Sequence, residues 1–176
     1  MIESSETKYK NAWIEVVEDK VIRPDGSEGI YGVVRKGPGV MVLPFDEEGN
    51  VYLIEEFKYP IGKDLLEVAA GAVDPGEDAL HAAKRELKEE LGIEADEWTD
   101  LGMEYPFTSV LDAPCTMYIA RKLRFGEVEP EVTESIVMKK MPFDEAVQKV
   151  LDGTIVHAQS GLFILKAKML LDSHGV

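Results

Sequence analysis

The run GAVDPGEDALHAAKRELKEELGI, residues 71–93, is the most informative stretch of this 176-residue chain. Its second half predicts an α-helix over residues 79–91. Pro75-Gly76-Glu77-Asp78 leads into it and Gly92 stops it. Leu80, Ala83, Leu87 and Leu91 recur at three- and four-residue steps, giving one apolar stripe. At roughly 100° per residue, Glu86, Glu89 and Glu90 fall on an arc of about 100° beside that stripe. Lys84 and Lys88 lie on the stripe's other side. No basic residue lies within the arc, although Arg85 borders it and reaches Glu89 at i+4. Glu86 and Glu90 are one turn apart, close enough to share an ion. Three carboxylates facing one way cost stability unless a cation sits among them. Oxygen donors favour hard Mg²⁺ or Mn²⁺ over zinc. A bare E-x-x-E-E is more often a solvated helix face, so the flanking residues have to decide.

Outward from this helix the pattern is mostly strands. Residues 12–22, 30–35, 40–45 and 51–59 predict strands, the last two joined as a hairpin through residues 46–50. A short strand covers residues 65–70 and ends at Gly71. Residues 98–105, 116–123 and 136–141 predict further strands. Residues 143–151 form an amphipathic helix, and residues 161–171 a more apolar one. Strands and a few helices without regular alternation point to an α+β chain, an α/β/α sandwich with a mixed sheet.

Composition removes several classes of function. Net charge is −15, from 34 acidic and 19 basic residues, which repels nucleic-acid polymers and anionic membranes. It also disfavours a polyanionic substrate unless divalent ions neutralise the site. No apolar stretch is long enough to span a bilayer. The polar start, residues 1–10, lacks the apolar core of a secretory signal. Cys115 is the single cysteine, so no internal disulfide forms and a cytoplasmic location is expected. Cys115, His81, His157 and His174 match no triad or zinc spacing and are expected to be structural.

Read in full, residues 71–93 follow G-x5-E-x7-R-E-U-x-E-E-x-G-U, where U is aliphatic. Gly71, Glu77, Arg85, Glu86, Leu87, Glu89, Glu90, Gly92 and Ile93 fill every defined position. A chance match is on the order of 10⁻⁶ or less at ordinary residue frequencies. The segment resembles the signature box of the Nudix hydrolase family. That resemblance implies an α/β/α sandwich and a Mg²⁺-dependent hydrolase, with Mn²⁺ as the substitute ion. Glu86, Glu89 and Glu90 match the family's metal ligands, and the Ala70 carbonyl matches a further one. Glu77 and Arg85 match residues that brace the loop on the helix, so an ion pair is expected between them. Gly71 and Gly92 match positions that need backbone freedom.

Outside the box, VYLIEEFKYPIG (residues 51–62) and LLEVAAG (residues 65–71) resemble the ADP-ribose pyrophosphatase group. The implied reaction is hydrolysis of the diphosphate in ADP-ribose or another nucleotide sugar. A homodimer is implied too, with residues 1–36 as an N-terminal strand extension that dimerises and residues 37–176 as the hydrolase domain. Adenine then sits at the dimer interface, where Trp13 can stack. Lys36 and Lys58 are the other expected substrate contacts. The group's Gln-x-Arg is Glu56-Phe57-Lys58 here, so a point charge replaces a flat fork. Its proline-glycine turn is Phe107-Thr108-Ser109, and its Asp-Ala-Lys-Thr is His157-Ala158-Gln159-Ser160. The general base is expected in the acidic loop of residues 127–134, at Glu134 first and Glu131 second, with Glu89 as the alternative inside the box. Two rival functions are a housecleaning nucleoside-triphosphate pyrophosphatase and a non-catalytic nucleotide-sensing module. The N-terminal strands oppose the first, and the intact box acids oppose the second.

Overall fold

A strand that is apolar at every position must be covered on both faces, and residues 40–45, VMVLPF, make such a strand. The computed structural model describes residues 1–126 and 136–174. Its first elements are β1 (Ile2–Lys10), β2 (Ile14–Ile22), β3 (Glu28–Lys36), β4 (Gly39–Pro44), β5 (Asn50–Lys58), β6 (Lys63–Glu67) and β7 (Ala69–Ala72). Then come α1 (Ala79–Leu91), β8 (Ile93–Glu104), β9 (Leu111–Asp112), β10 (Cys115–Phe125), β11 (Val137–Pro142), α2 (Phe143–Leu151) and α3 (Ala158–His174). Val40 and Val42 of β4 pack with Ala82, Ala83, Leu87 and Leu91 of α1. Met41 and Leu43, one residue out of phase, pack with Phe143 and Ala146 of α2 and Phe163 and Ile164 of α3. Helices therefore cover both faces, and the chain is the expected α/β/α sandwich. The central sheet runs β7-β4-β10-β8 and is mixed, with β4 parallel to β10 and the other pairs antiparallel.

The helix α1 has the bounds its sequence predicts. Asp78 caps its first turn by accepting from the His81 backbone N–H at 2.9 Å. Gly92 closes it at φ 63°, donating to the carbonyls of Leu87 and Lys88, a left-handed position that glycine takes without a Cβ penalty. Leu87 and Leu91 are fully buried, each contributing roughly 1.5–3 kcal/mol by leaving water.

Three strand expectations need correction. The predicted hairpin of residues 40–59 is not a paired ladder, because β4 and β5 belong to different sheets and the only backbone pairing between the two runs is the Phe45–Val51 bridge. The edges of β4 are taken by β7 and β10, and those of β5 by β6 and β11. The single strand of residues 65–70 is two, broken at Val68, where the chain leaves β5 and joins β4. Finally, residues 2–10 form a strand with no buried residue, invisible to any search for apolar alternation. Asn11 then turns the chain, its side-chain oxygen accepting from the N–H groups of Trp13 and Ile14 at 2.8 Å each, so β2 begins two residues late. The sheet β1-β2-β3 is extended by β9, which pairs parallel to β3 at Val34–Leu111 and Arg35–Asp112. The N-terminal strands thus share a sheet with a strand from the following body.

Candidate active site

The antiparallel partner of β4 carries Ala70 and Gly71 past the flank of α1. Glu90, buried at 8% exposure, accepts from the Ala70 backbone N–H at 3.2 Å. Glu86 lies against Gly71 so closely that a Cβ there would stand 1.8 Å from its carboxyl carbon. Gly71 is thus required by a close approach, and the absent side chain is the cradle for a carboxylate.

Arg85 reaches Glu89 as its place at the border of the arc predicts, and its guanidinium also takes Glu86, so the acids are not unpartnered. Its Nη1 donates to Glu86 at 2.8 Å and to Glu89 at 3.1 Å. Nε and Nη2 grip Glu77 at 3.2 and 3.1 Å, and Nη2 also donates to the Ala72 carbonyl at 2.9 Å. Glu77 and Arg85 are therefore ion-paired, tying the loop to the helix. The Arg85 hydrogen bonds and the Asp74 backbone N–H hold the Glu77 carboxyl below its usual range. Glu77 above all, then Glu86 and Glu89, push the guanidinium further up.

One guanidinium pairs with the carboxylates of Glu77, Glu86 and Glu89, and Glu90 lies one helical turn from Glu86, so the locality stays net negative. Among the described residues no group of three or more Asp, Glu, His or Cys stands ready as a metal site, and Arg85 holds Glu86 and Glu89. The donor set nonetheless fits a divalent cation: every polar side-chain donor of the arc is a carboxylate oxygen, the ligand type of hard ions, and Gly71 leaves room for one.

Beside Gly71 opens a cavity of about 530 Å³, bordered by Ala70, Gly71 and Ala72, a volume suited to a small molecule. Lys36 and Lys58 both line it. The Lys58 ammonium is shared between Glu56 and Glu67, the latter at 3.4 Å. Burial opposes its charge, but Glu56 and Glu67 outweigh burial and hold it above the usual range. Glu67, His157 and Gln159 also line the cavity, three site residues that no spacing in the sequence singles out. His157 is thus placed on the cavity wall, not only in a structural role. The usable signals were a glutamate inside the apolar run LLEVAAG and the departure at residues 157–160.

Other expected residues lie elsewhere. Trp13 is 76% exposed on the turn after β1 and does not line the cavity. Glu131 and Glu134 lie outside the described residues. His81 bonds Asp78 at the far end of α1. Cys115 is buried on the cavity wall, and burial, then Glu104, pushes its thiol up to about 12. It is therefore no nucleophile at neutral pH.

Comparison with known proteins agrees with this arrangement. The NUDIX domain matches residues 35–159, and the nucleoside diphosphate sugar hydrolase N-terminal domain matches residues 2–34. An ADP-ribose pyrophosphatase of Mycobacterium tuberculosis is 32% identical over 161 residues, covering 88% of this chain and 76% of that protein. One from Bacillus subtilis is 23% identical, covering 92% and 88%. A solved ADP compounds hydrolase superposes with a TM-score of 0.90 at 23% identity, covering 99% of this chain and 95% of that one.

Proposed function

Since this chain belongs to the Nudix family of hydrolases, we propose that it cleaves the diphosphate of a nucleoside-diphosphate sugar, with ADP-ribose as its first substrate. The observation that carries this is the packing of Glu90 and Glu86 on Ala70 and Gly71, two residues that line a cavity of about 530 Å³. With ADP-ribose, water attacks one phosphorus, the bridging P–O bond breaks, and AMP and ribose 5-phosphate leave. Glu86, Glu89 and Glu90, with the Ala70 carbonyl, would hold Mg²⁺ or Mn²⁺. That ion would supply charge neutralisation on the diphosphate and a lowered pKa for water. To hold it, Glu86 and Glu89 would give up their Arg85 contacts, while Arg85 would keep Glu77 and the Ala72 carbonyl. Arg85 and Glu77 are thereby bracing residues, and Gly92 ends the helix just past its acids. The water's proton goes to a carboxylate outside this set, assigned to Glu134. Lys36 and Lys58 contact substrate from the cavity wall.

The test is incubation with Mg²⁺ or Mn²⁺ and a panel of nucleoside-diphosphate sugars and nucleoside triphosphates, with products identified by chromatography. Nucleoside monophosphate and sugar phosphate are expected. Pyrophosphate release from triphosphates, with the sugars untouched, would mark a housecleaning enzyme instead. No turnover of either class, alongside nucleotide binding, would mark a sensing module.

Gly71→Ala gives a sharper test of the cradle. Its backbone lies outside the left-handed region, so alanine strains nothing there. The new methyl must expel the Glu86 carboxylate. A misplacement of about 1 Å costs on the order of 10² in rate, so kcat/KM should fall about that far with melting nearly unchanged. Wild-type kcat/KM in Gly71→Ala would refute the cradle.

The domain reading is proposed as well: residues 1–36 are the dimerisation element of the hydrolase in residues 37–176. All nine residues of β1 are exposed, and Ile2, Tyr9, Trp13, Ile30 and Tyr31 leave large apolar surface on this sheet. An isologous C₂ contact would cover it and bring Trp13 to a shared adenine site. Light scattering at micromolar concentration should report twice the 19.6 kDa of one chain; a monomer's mass would refute it. The proposed setting is the cytoplasm, in keeping with one free, buried cysteine. Among the described residues no helix is long and apolar enough to cross a membrane.

A further inference from the structure

We propose that His157, held in place by Glu67 and Ser160, is a specificity-determining residue that accepts a hydrogen bond from a hydroxyl of the sugar on the far side of the diphosphate. The inference rests on the cavity being the substrate site. His157 stands just before α3, where its carbonyl accepts from the Gly161 N–H at 3.0 Å. Its Nδ1 lies 2.9 Å from the Ser160 hydroxyl oxygen and 3.3 Å from Glu67 Oε2. That hydroxyl oxygen already accepts from the Val68 N–H at 3.0 Å, at the break between β6 and β7. Glu67 is 5% exposed, and a carboxylate only accepts, so the hydrogen of a neutral imidazole belongs on Nδ1. Nε2 is then the acceptor that His157 offers to the cavity it lines.

The local charge says what that acceptor meets. One ammonium, Lys58, is flanked by two carboxylates, Glu56 and Glu67. This corner carries no net positive charge and repels a phosphate, whereas neutral hydroxyls suit it. The lining also says which half of the substrate enters. Among the described residues no Phe, Tyr or Trp lines the cavity, so it has no stacking platform for a base. Exposed aromatic rings stand instead on the N-terminal sheet, at Tyr9, Trp13 and Tyr31. The non-nucleoside half therefore occupies the cavity, and its hydroxyls reach His157. Glu67 and Ser160 act through the ring and are positioning residues. Without the imidazole, Glu67 keeps Lys58 and Ser160 keeps Val68, so truncation should leave the fold intact.

The experiment compares wild type, His157→Ala and His157→Gln on two substrates. One is the nucleoside-diphosphate sugar cleaved fastest in the panel above. The other is the butyl ester of the same nucleoside diphosphate, which lacks the distal hydroxyls. His157→Ala should raise KM for the sugar about tenfold, the worth of one well-placed hydrogen bond, with kcat within about threefold. KM for the butyl ester should stay put. His157→Gln, which keeps an acceptor, should recover much of the loss. Equal changes on both substrates, or an unchanged KM for the sugar, would overturn the assignment while leaving the proposed function standing. A wild-type protein inert toward every nucleotide sugar would overturn both.

Discussion

Glu90→Gln or Glu86→Gln should cost several orders of magnitude in kcat. A divalent ion contributes several kcal/mol of charge stabilisation to such a reaction, and each ~1.4 kcal/mol is a factor of ten. The substituted amide keeps the shape of the side chain and loses its charge. At Glu90 the remaining oxygen still accepts from the Ala70 N–H, now 3.2 Å away, so the buried contact survives. At Glu86 the ion pair with Arg85 is lost, but the guanidinium keeps Glu77 and Glu89. No gain in stability is expected from relieved repulsion, because Arg85 already offsets it. The discriminating measurements are turnover of both variants beside wild type in excess EDTA, with circular dichroism to confirm folding. Undiminished turnover in EDTA, or in Glu90→Gln, would sink the metal mechanism.

Glu134→Gln is the second large effect expected, a fall in kcat of about 10²–10⁴, the usual contribution of a general base. The described acids near the box are already engaged. Glu86 and Glu89 hold Arg85, Glu90 holds the Ala70 N–H, and Glu67 holds Lys58 and His157. The described residues on either side of the acidic segment lie near this site. Gly126 donates to the carbonyl of Gly92, two residues past Glu90, at 2.7 Å, and Val137 pairs with Glu55 of β5. KM and metal affinity should change little, and the acidic limb of the pH–rate profile should vanish. If Glu131→Gln loses turnover and Glu134→Gln keeps it, the base is three residues earlier. If both keep it, Glu89 becomes the base.

What was legible in the chain alone is what depends on neighbours a few residues apart. The bounds of α1 follow from Asp78, the stripe of Ala83, Leu87 and Leu91, and Gly92, all local signals. The three glutamates share a face because the helical repeat puts them there. The strand of residues 40–45 had to lie in the middle of a sandwich, since its apolar run leaves no face for water. The partners of that strand were not legible. Val51 to Ile54 are buried like Val40 to Leu43, and two runs without alternation pair equally well with anything. The tertiary structure chose β10, some seventy residues away in sequence, over the adjacent β5.

The same limit governs the site. Arg85 borders the arc on a helical projection, but its long side chain swings among the acids because Glu77 and the Ala72 carbonyl pull it there from the loop. Lys58, Glu67 and His157 come from β5, β6 and the approach to α3, and no spacing rule links them. Local chemistry settled the reaction class, because consecutive helical turns carry it. Packing between distant segments decided how the acids are partnered and what the cavity can recognise, since those contacts exist only once the sheet has brought the segments together.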